Sequence, residues 1–139
     1  TLGKLSEMKT KIKIIGSLLF AFLLFAYLNF FSSFVFPWQK MEAIQTTLNW
    51  GGLAELPKVT ENLTVEKDGG IFTRSFKIQF KANQSEINSW ISKSKRLKDN
   101  LPKVKGERKI FDIYPGEKES FGGNVTVEKG MVTIRMSWS

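Results

Sequence analysis

Residues 14–36 form an uninterrupted run of 23 residues without a charged side chain, and this run constrains the fold more than any other feature. As a helix, at about 1.5 Å per residue, the run would extend roughly 34 Å, which is enough to cross a hydrocarbon core of about 30 Å. The sequence therefore predicts a single transmembrane α-helix over residues 14–36, preceded by a basic segment, residues 1–13.

A secretory signal peptide is the alternative interpretation of the same run. Signal peptides also place apolar residues after a basic segment, but their apolar stretch is only about 7–15 residues long and their cleavage sites require small side chains. Here the run is longer, and it ends in the bulky sequence Phe34-Val35-Phe36-Pro37-Trp38. These features favour a span that is retained.

The distribution of basic residues predicts the orientation of the span. Lys40 is the only base in residues 38–55, whereas four lysines precede the span: Lys4, Lys9, Lys11 and Lys13. Because basic residues near a span favour the cytoplasmic side, we expect a cytoplasmic N-terminus. The chain would lie in the inner (cell) membrane, with its C-terminal domain on the periplasmic, extracytoplasmic side.

Residues 37–60 are predicted to form a juxtamembrane amphipathic helix and a linker. Apolar side chains recur at helical spacing through Met41, Ile44 and Leu48, and two glycines follow. We expect this helix to lie along the membrane interface or against a neighbour. Trp38 is the predicted interface anchor, since tryptophan is enriched at headgroup level.

Residues 61–139 are predicted to form an α+β domain with the order β-β-α-β-β-β, an antiparallel sheet with one helix packed on one face. Strict alternation identifies strands around residues 62–67, 72–80, 110–114, 124–128 and 132–138. The helix begins at the capping residue Asn83, and Ile87, Trp90, Ile91 and Leu97 are predicted to line one of its sides.

The composition argues against most enzyme classes. The chain has neither histidine nor cysteine, which removes the commonest general base, the commonest metal ligand and every thiolate site. Asp112, Glu117 and Glu119 lie around a Pro-Gly turn, where a solvated turn is a better interpretation than a catalytic or metal-binding cluster. We therefore expect no enzymatic activity, no cofactor and no metal.

Two groups of residues are candidates for binding. Within the predicted span, Ala26, Asn29 and Ser33 recur at spacings of three and four, which favours contact with a partner transmembrane helix. The alternative is that Asn29 lies shallow enough to reach lipid headgroups and that Ser33 bonds its own backbone.

The second group is a basic patch in residues 93–109, comprising eight bases against two acids. Its members are Lys93, Lys95, Arg96, Lys98, Lys103, Lys105, Arg108 and Lys109. The patch could contact anionic headgroups, dock an acidic partner, or be a solvated helix end and loop. No aromatic residues are interleaved with the bases as in nucleic-acid sites, so nucleic acid is not an expected partner.

Together these features predict a non-catalytic, single-pass accessory subunit of a larger membrane protein complex. Its helix would pack on partner transmembrane helices within the lipid bilayer, and its domain would cover the outer face of the complex. The alternative is a stand-alone membrane-anchored binding domain that recognises a protein, a ligand or an anionic lipid through the basic patch.

Overall fold

The computed structural model describes residues 2–30, 32–69 and 73–138. A long helix, α1 (Leu2–Phe30), is followed by a 3-10 turn (Pro37–Gln39) and a second helix, α2 (Lys40–Gly51). The remaining elements are β1 (Glu61–Asp68), β2 (Arg74–Lys81), α3 (Gln84–Lys93), β3 (Lys103–Lys105), β4 (Arg108–Ile113), β5 (Gly122–Glu128) and β6 (Met131–Trp138).

Helix α1 is long and apolar enough to span a membrane, and its side chains are exposed along most of its length. It differs from the predicted span of residues 14–36 at both ends. The basic N-terminal residues continue the helix, whereas the other end stops at Phe30. Ser32 contributes to this end because its hydroxyl accepts a bond from the Phe34 amide, at 3.0 Å, in place of a helical bond. Pro37 then requires extended backbone at Phe36.

The domain has the predicted α+β architecture, with a sheet in which every neighbouring pair of strands is antiparallel. The strand order is β1-β2-β6-β5-β4-β3, so the hairpin β1–β2 joins the meander β3–β6 through pairing of β2 with β6. The short strand β3 was not expected from the sequence. Its three residues are all exposed, so they give no alternating pattern. Phe72, predicted at the start of the second strand, lies outside the described residues.

The core lies between one face of the sheet and helices α2 and α3. Alternate residues of the strands face it, including Ile78 of β2 and Ile134 of β6, and both are completely buried. Trp90 of α3 packs edge-on against Phe80 at 6.0 Å between ring centroids. The predicted cap of α3 is confirmed, since the Asn83 side chain accepts a hydrogen bond from the Glu86 amide at 2.9 Å.

Helix α2 is part of this core. The sequence instead predicted that it would lie along the membrane interface or against a neighbour. Ile44 and Leu48 are 4% and 2% exposed, and both belong to the same hydrophobic cluster as Ile87 and Trp90. The apolar spacing was interpreted correctly as helical, but the same spacing suits burial against a sheet. The sheet is wide enough to need two covering helices, and α2 supplies the second.

Helix α3 is shorter than the sequence suggested, because it ends at Lys93 and Ser94 adopts an extended conformation. The Ser94 hydroxyl donates to the Trp90 carbonyl at 2.8 Å and accepts from the Ala54 amide at 3.0 Å. Leu97 is buried as predicted, but it reaches the core from the turn after the helix.

Candidate functional site

The sheet face opposite the helices carries polar side chains, and among the described residues no helix packs on it. Residues paired directly across antiparallel strands point to the same face, so the strand register defines which side chains meet there. One row crosses five strands through the centre of this face. Its members, from β1 to β4, are Glu66, Lys77, Arg135, Asn124 and Asp112. We call these five residues the central row.

Lys77 and Arg135 are direct cross-strand neighbours at the middle of the central row. Neither side chain makes a hydrogen bond or an ion pair with any residue that the structure describes. Two like charges placed opposite each other destabilise a sheet by about 0.2–1 kcal/mol. The centre of the open face therefore holds two neighbouring cations that form no ion pair with described residues, although Glu66 lies opposite Lys77 on β1.

Asn124 adds a second unfavourable feature to the same row. Its side-chain oxygen is buried and lacks a donor among the described residues. An unpaired buried acceptor costs about 1–3 kcal/mol, so such atoms are uncommon in folded proteins. Asn124 lies beside Arg135 in the register, so both features occupy one part of the surface.

A shallow groove of about 630 Å³ lies over this part of the sheet. Its lining includes Glu66, Lys77, Asn124 and Arg135 of the central row, together with Tyr114 at its edge. Tyr114 packs edge-on against Phe121 at 5.5 Å between ring centroids, and both rings are more than half exposed. An aromatic rim beside charged groups is the composition that protein interfaces favour.

Two other bases of this face form ion pairs. Lys103 lies 2.8 Å from the Asp112 carboxylate at one end of the central row, and Arg108 lies 3.2 Å from Glu128. The hydrogen bond to Asp112, assisted by its charge, raises the pKa of Lys103. At the centre of the face, Lys77 and Arg135 have no ion pair with any described residue and are available to a partner.

The predicted basic patch is less uniform than its sequence suggests. Four of its eight bases form ion pairs: Lys103 and Arg108 as described, and Lys95 and Arg96 with Glu117 at 3.4 and 3.3 Å. A hydrogen bond from Arg96 is the main cause that lowers the pKa of Glu117, and a hydrogen bond from Lys95 is the next. The bases without an ion pair in the described chain are Lys93, Lys98, Lys105 and Lys109.

The predicted partner-helix face, Ala26, Asn29 and Ser33, does not form one helical face, because α1 ends at Phe30. Asn29 instead contacts the chain's own domain. The Lys67 ammonium donates to the Asn29 carbonyl oxygen at 2.5 Å and to its side-chain oxygen at 3.2 Å. The Ser33 carbonyl accepts a bond from the Lys67 amide at 3.0 Å. The sequence could not reveal this arrangement because Lys67 lies 38 residues after Asn29.

Trp38 lies just beyond α1 and is 69% exposed, stacked on Phe36 with 4.6 Å between ring centroids. Phe34 and Met41 are also exposed nearby in the sequence, at 47% and 66%. We call Phe34, Trp38 and Met41 the apolar collar. Its composition suits the level of lipid headgroups, so the role of Trp38 as interface anchor stays a prediction.

Comparison of the chain with protein-family models, with curated proteins and with solved structures finds no match.

Proposed function

We propose that this chain is a non-catalytic, single-pass accessory subunit of a larger membrane protein complex, and that its domain docks a protein partner through the open face of the sheet. The observation that carries this proposal is the central row, where Lys77 and Arg135 have no partner within the described chain. Neighbouring cations and an unpaired buried acceptor reduce the stability of the isolated domain. A partner that supplies a carboxylate to the cations would remove the repulsion between them.

The length and apolar character of α1 support retention of the chain in a membrane. The lysines that precede the apolar run favour a cytoplasmic N-terminus and an extracytoplasmic domain in the cell membrane. Because α1 is exposed along most of its length, it is available to the lipid bilayer or to transmembrane helices of integral membrane subunits.

Charge complementarity determines the kind of partner that we expect. Cations without internal partners attract an acidic protein surface and guide its approach, and the aromatic rings of Tyr114 and Phe121 provide apolar contact at the rim. A surface of this kind recognises a protein without needing a catalytic group. The absence of histidine and cysteine from the sequence agrees with a docking role.

The competing proposal is a stand-alone anchored domain that binds through the basic patch of residues 93–109. Ion pairs occupy Lys95, Arg96, Lys103 and Arg108 of that patch, so charge reversal there should affect a partner less than reversal in the central row. The two surfaces can therefore be compared by equivalent substitutions.

The test is purification of the full chain from its native membrane in mild detergent, followed by native electrophoresis and photo-crosslinking from Thr133, which faces outward beside the central row. We expect migration with a larger complex and a defined crosslink to one protein. Lys77→Glu with Arg135→Glu should weaken this association by at least about 30-fold, or about 2 kcal/mol.

The matched control is Lys93→Glu with Lys98→Glu, which reverses two unpaired bases of the basic patch. If this control dissociates the complex and the central-row variant does not, the competing proposal is correct. A monomer in every mild detergent would contradict the role as a subunit.

A further inference from the structure

The base of the domain, where β1 meets the end of α1, contains a second pair of neighbouring cations. Lys67 reaches the Asn29 carbonyl and side-chain oxygens, at a helix end where backbone carbonyls lack intrahelical donors. Arg74 lies diagonally across the β1–β2 hairpin on the same face, since Lys67 pairs with Phe76 in the register. The Arg74 side chain has no hydrogen bond or ion pair with any described residue.

The electrostatics of this pair are unfavourable without a further group. Burial lowers the pKa of Lys67, and the positive charge of Arg74 lowers it further. No carboxylate among the described residues offsets these two effects. Glu42 lies on the same groove, but its side chain is exposed and pairs with neither base. Asp68 lies nearby on the opposite side of the strand and accepts a bond from the Gly69 amide. An anion placed between Lys67 and Arg74 would attract both charges and so offset their mutual repulsion.

A groove of about 370 Å³ is available for such an anion. It lies between α2 and the sheet, and its lining includes Asn29, Gln39, Lys67 and Arg74. Gln39 also donates a long hydrogen bond of 3.4 Å to the Asn29 side chain. The groove thus combines two cations with amide groups, which together can hold several oxygen atoms of one anion.

The length of α1 places this groove at the level of lipid headgroups if α1 spans the bilayer. The uncharged helical part, residues 14–30, measures roughly 26 Å at about 1.5 Å per residue. This length is slightly less than a hydrocarbon core of about 30 Å, so Asn29 would lie at its outer boundary. The exposed apolar collar lies just after the helix in the chain and suits the same depth.

We propose, on the basis of the membrane anchoring proposed above, that this groove binds the phosphate of an anionic phospholipid. Arg74 would bind two phosphate oxygens through its planar guanidinium group, and Lys67 would contribute a point charge from the side of α1. The acyl chains would lie along the exposed apolar side chains of α1. This lipid site is separate from the basic patch and from the central row.

The test uses the full chain in nanodiscs of phosphatidylcholine with a minor fraction of phosphatidylglycerol, and native mass spectrometry counts the lipid that stays bound after release from the disc. We expect selective retention of one phosphatidylglycerol. Arg74→Gln should reduce its apparent affinity about fivefold. The matched control is Lys81→Gln, an exposed base at the other end of β2, which should retain the lipid as the wild type does.

Equal retention of the two lipids, or an unchanged affinity in Arg74→Gln, would overturn the lipid site. Soluble glycerol phosphate that displaces phosphatidylglycerol at equal concentration would assign the groove to a free phosphate ester and also overturn it. Failure of the chain to enter the disc would instead contradict the membrane anchoring. The two failures are therefore distinguishable.

Discussion

Replacing Ser94 with alanine tests how the segment after α2 is attached to the domain. Ser94 is completely buried, and its hydroxyl is the acceptor for the Ala54 amide at 3.0 Å. Ser94→Ala would leave this N–H without its acceptor and would remove the bond to the Trp90 carbonyl. A buried donor left unpaired costs about 1–3 kcal/mol of unfolding free energy. With a urea dependence of about 2 kcal/mol per molar, the unfolding midpoint should fall by about 1 M.

The assay is urea unfolding of the full chain in detergent micelles, followed by the fluorescence of Trp50 and Trp90, which pack in or against the core. Ser92→Ala is the matched control. Ser92 makes a bond of similar geometry within α3, to the Asn88 carbonyl at 3.0 Å, but it is exposed. Its replacement should change the stability by less than about 0.5 kcal/mol, because water can replace the lost bond and alanine favours the helix.

The reasoning would be refuted if the two variants unfolded at the same urea concentration. That result would mean that the Ala54 amide does not depend on Ser94. The segment would then be held mainly by the Trp90 ring nitrogen, which donates to the Ala54 carbonyl at 2.9 Å.

Three further predictions address the sheet and its charges. Arg135→Gln should raise the unfolding free energy by about 0.2–1 kcal/mol, because it removes repulsion from Lys77 and its other cross-strand neighbour, Asn124, is uncharged; a lower urea midpoint would contradict this. The folded-state pKa of Glu117 is lowered from 4.5, so its contribution to stability is present above pH 4.5 and is lost as the pH falls through the folded-state pKa. In acid titrations of the urea midpoint, Glu117→Gln should lack this loss, and parallel curves would oppose the prediction. Gly123→Ala should prevent folding, as judged by circular dichroism and proteolysis, because a Cβ there would overlap the Arg135 carbonyl oxygen. Gly106→Ala meets no atom within 4 Å and should cost only about 1 kcal/mol for its positive φ; equal effects of the two glycine variants would refute the steric argument.

The sequence predicted every strand except β3, because each of the others carries its own local pattern. Phe76, Ile78 and Phe80 alternate with polar residues, and this alternation needs no knowledge of neighbouring strands. The order of the strands could not be predicted in the same way. Pairing of β2 with β6 joins residues that are 50 or more positions apart, and their register depends on the packing of the whole core.

The observed helices α2 and α3 differ from the predicted ones for physical reasons that a periodic sequence pattern cannot reveal. The spacing of Ile44 and Leu48 specifies an amphipathic helix but not whether membrane or protein covers its apolar side. The periodicity from Ile87 to Leu97 likewise suggested a helix through Ser94. The Ser94 side chain bonds to backbone on both sides, and this competition ends the helix early.

The candidate sites were beyond local prediction because each is created by strand pairing. Lys77 and Arg135 are both outward residues of alternating strands, as the sequence indicates. Their direct juxtaposition exists only in the register of β2 with β6. The basic patch, in contrast, was visible as a cluster in the sequence, and folding then paired half of its charges with Glu117, Asp112 and Glu128.

The two proposed sites lie on opposite faces of the same sheet, which makes their tests independent. Lys77 pairs with Glu66 on the open face, whereas Lys67 pairs with Phe76 on the face that carries the helices. Lys67 and Phe76 line both grooves, but Arg74 lines only the lipid groove, and Lys77 and Arg135 do not line it. Arg74→Gln should therefore leave partner binding unchanged, and Lys77→Glu with Arg135→Glu should leave lipid retention unchanged. If Arg74→Gln altered docking on the open face, the sheet would be transmitting a change between its faces.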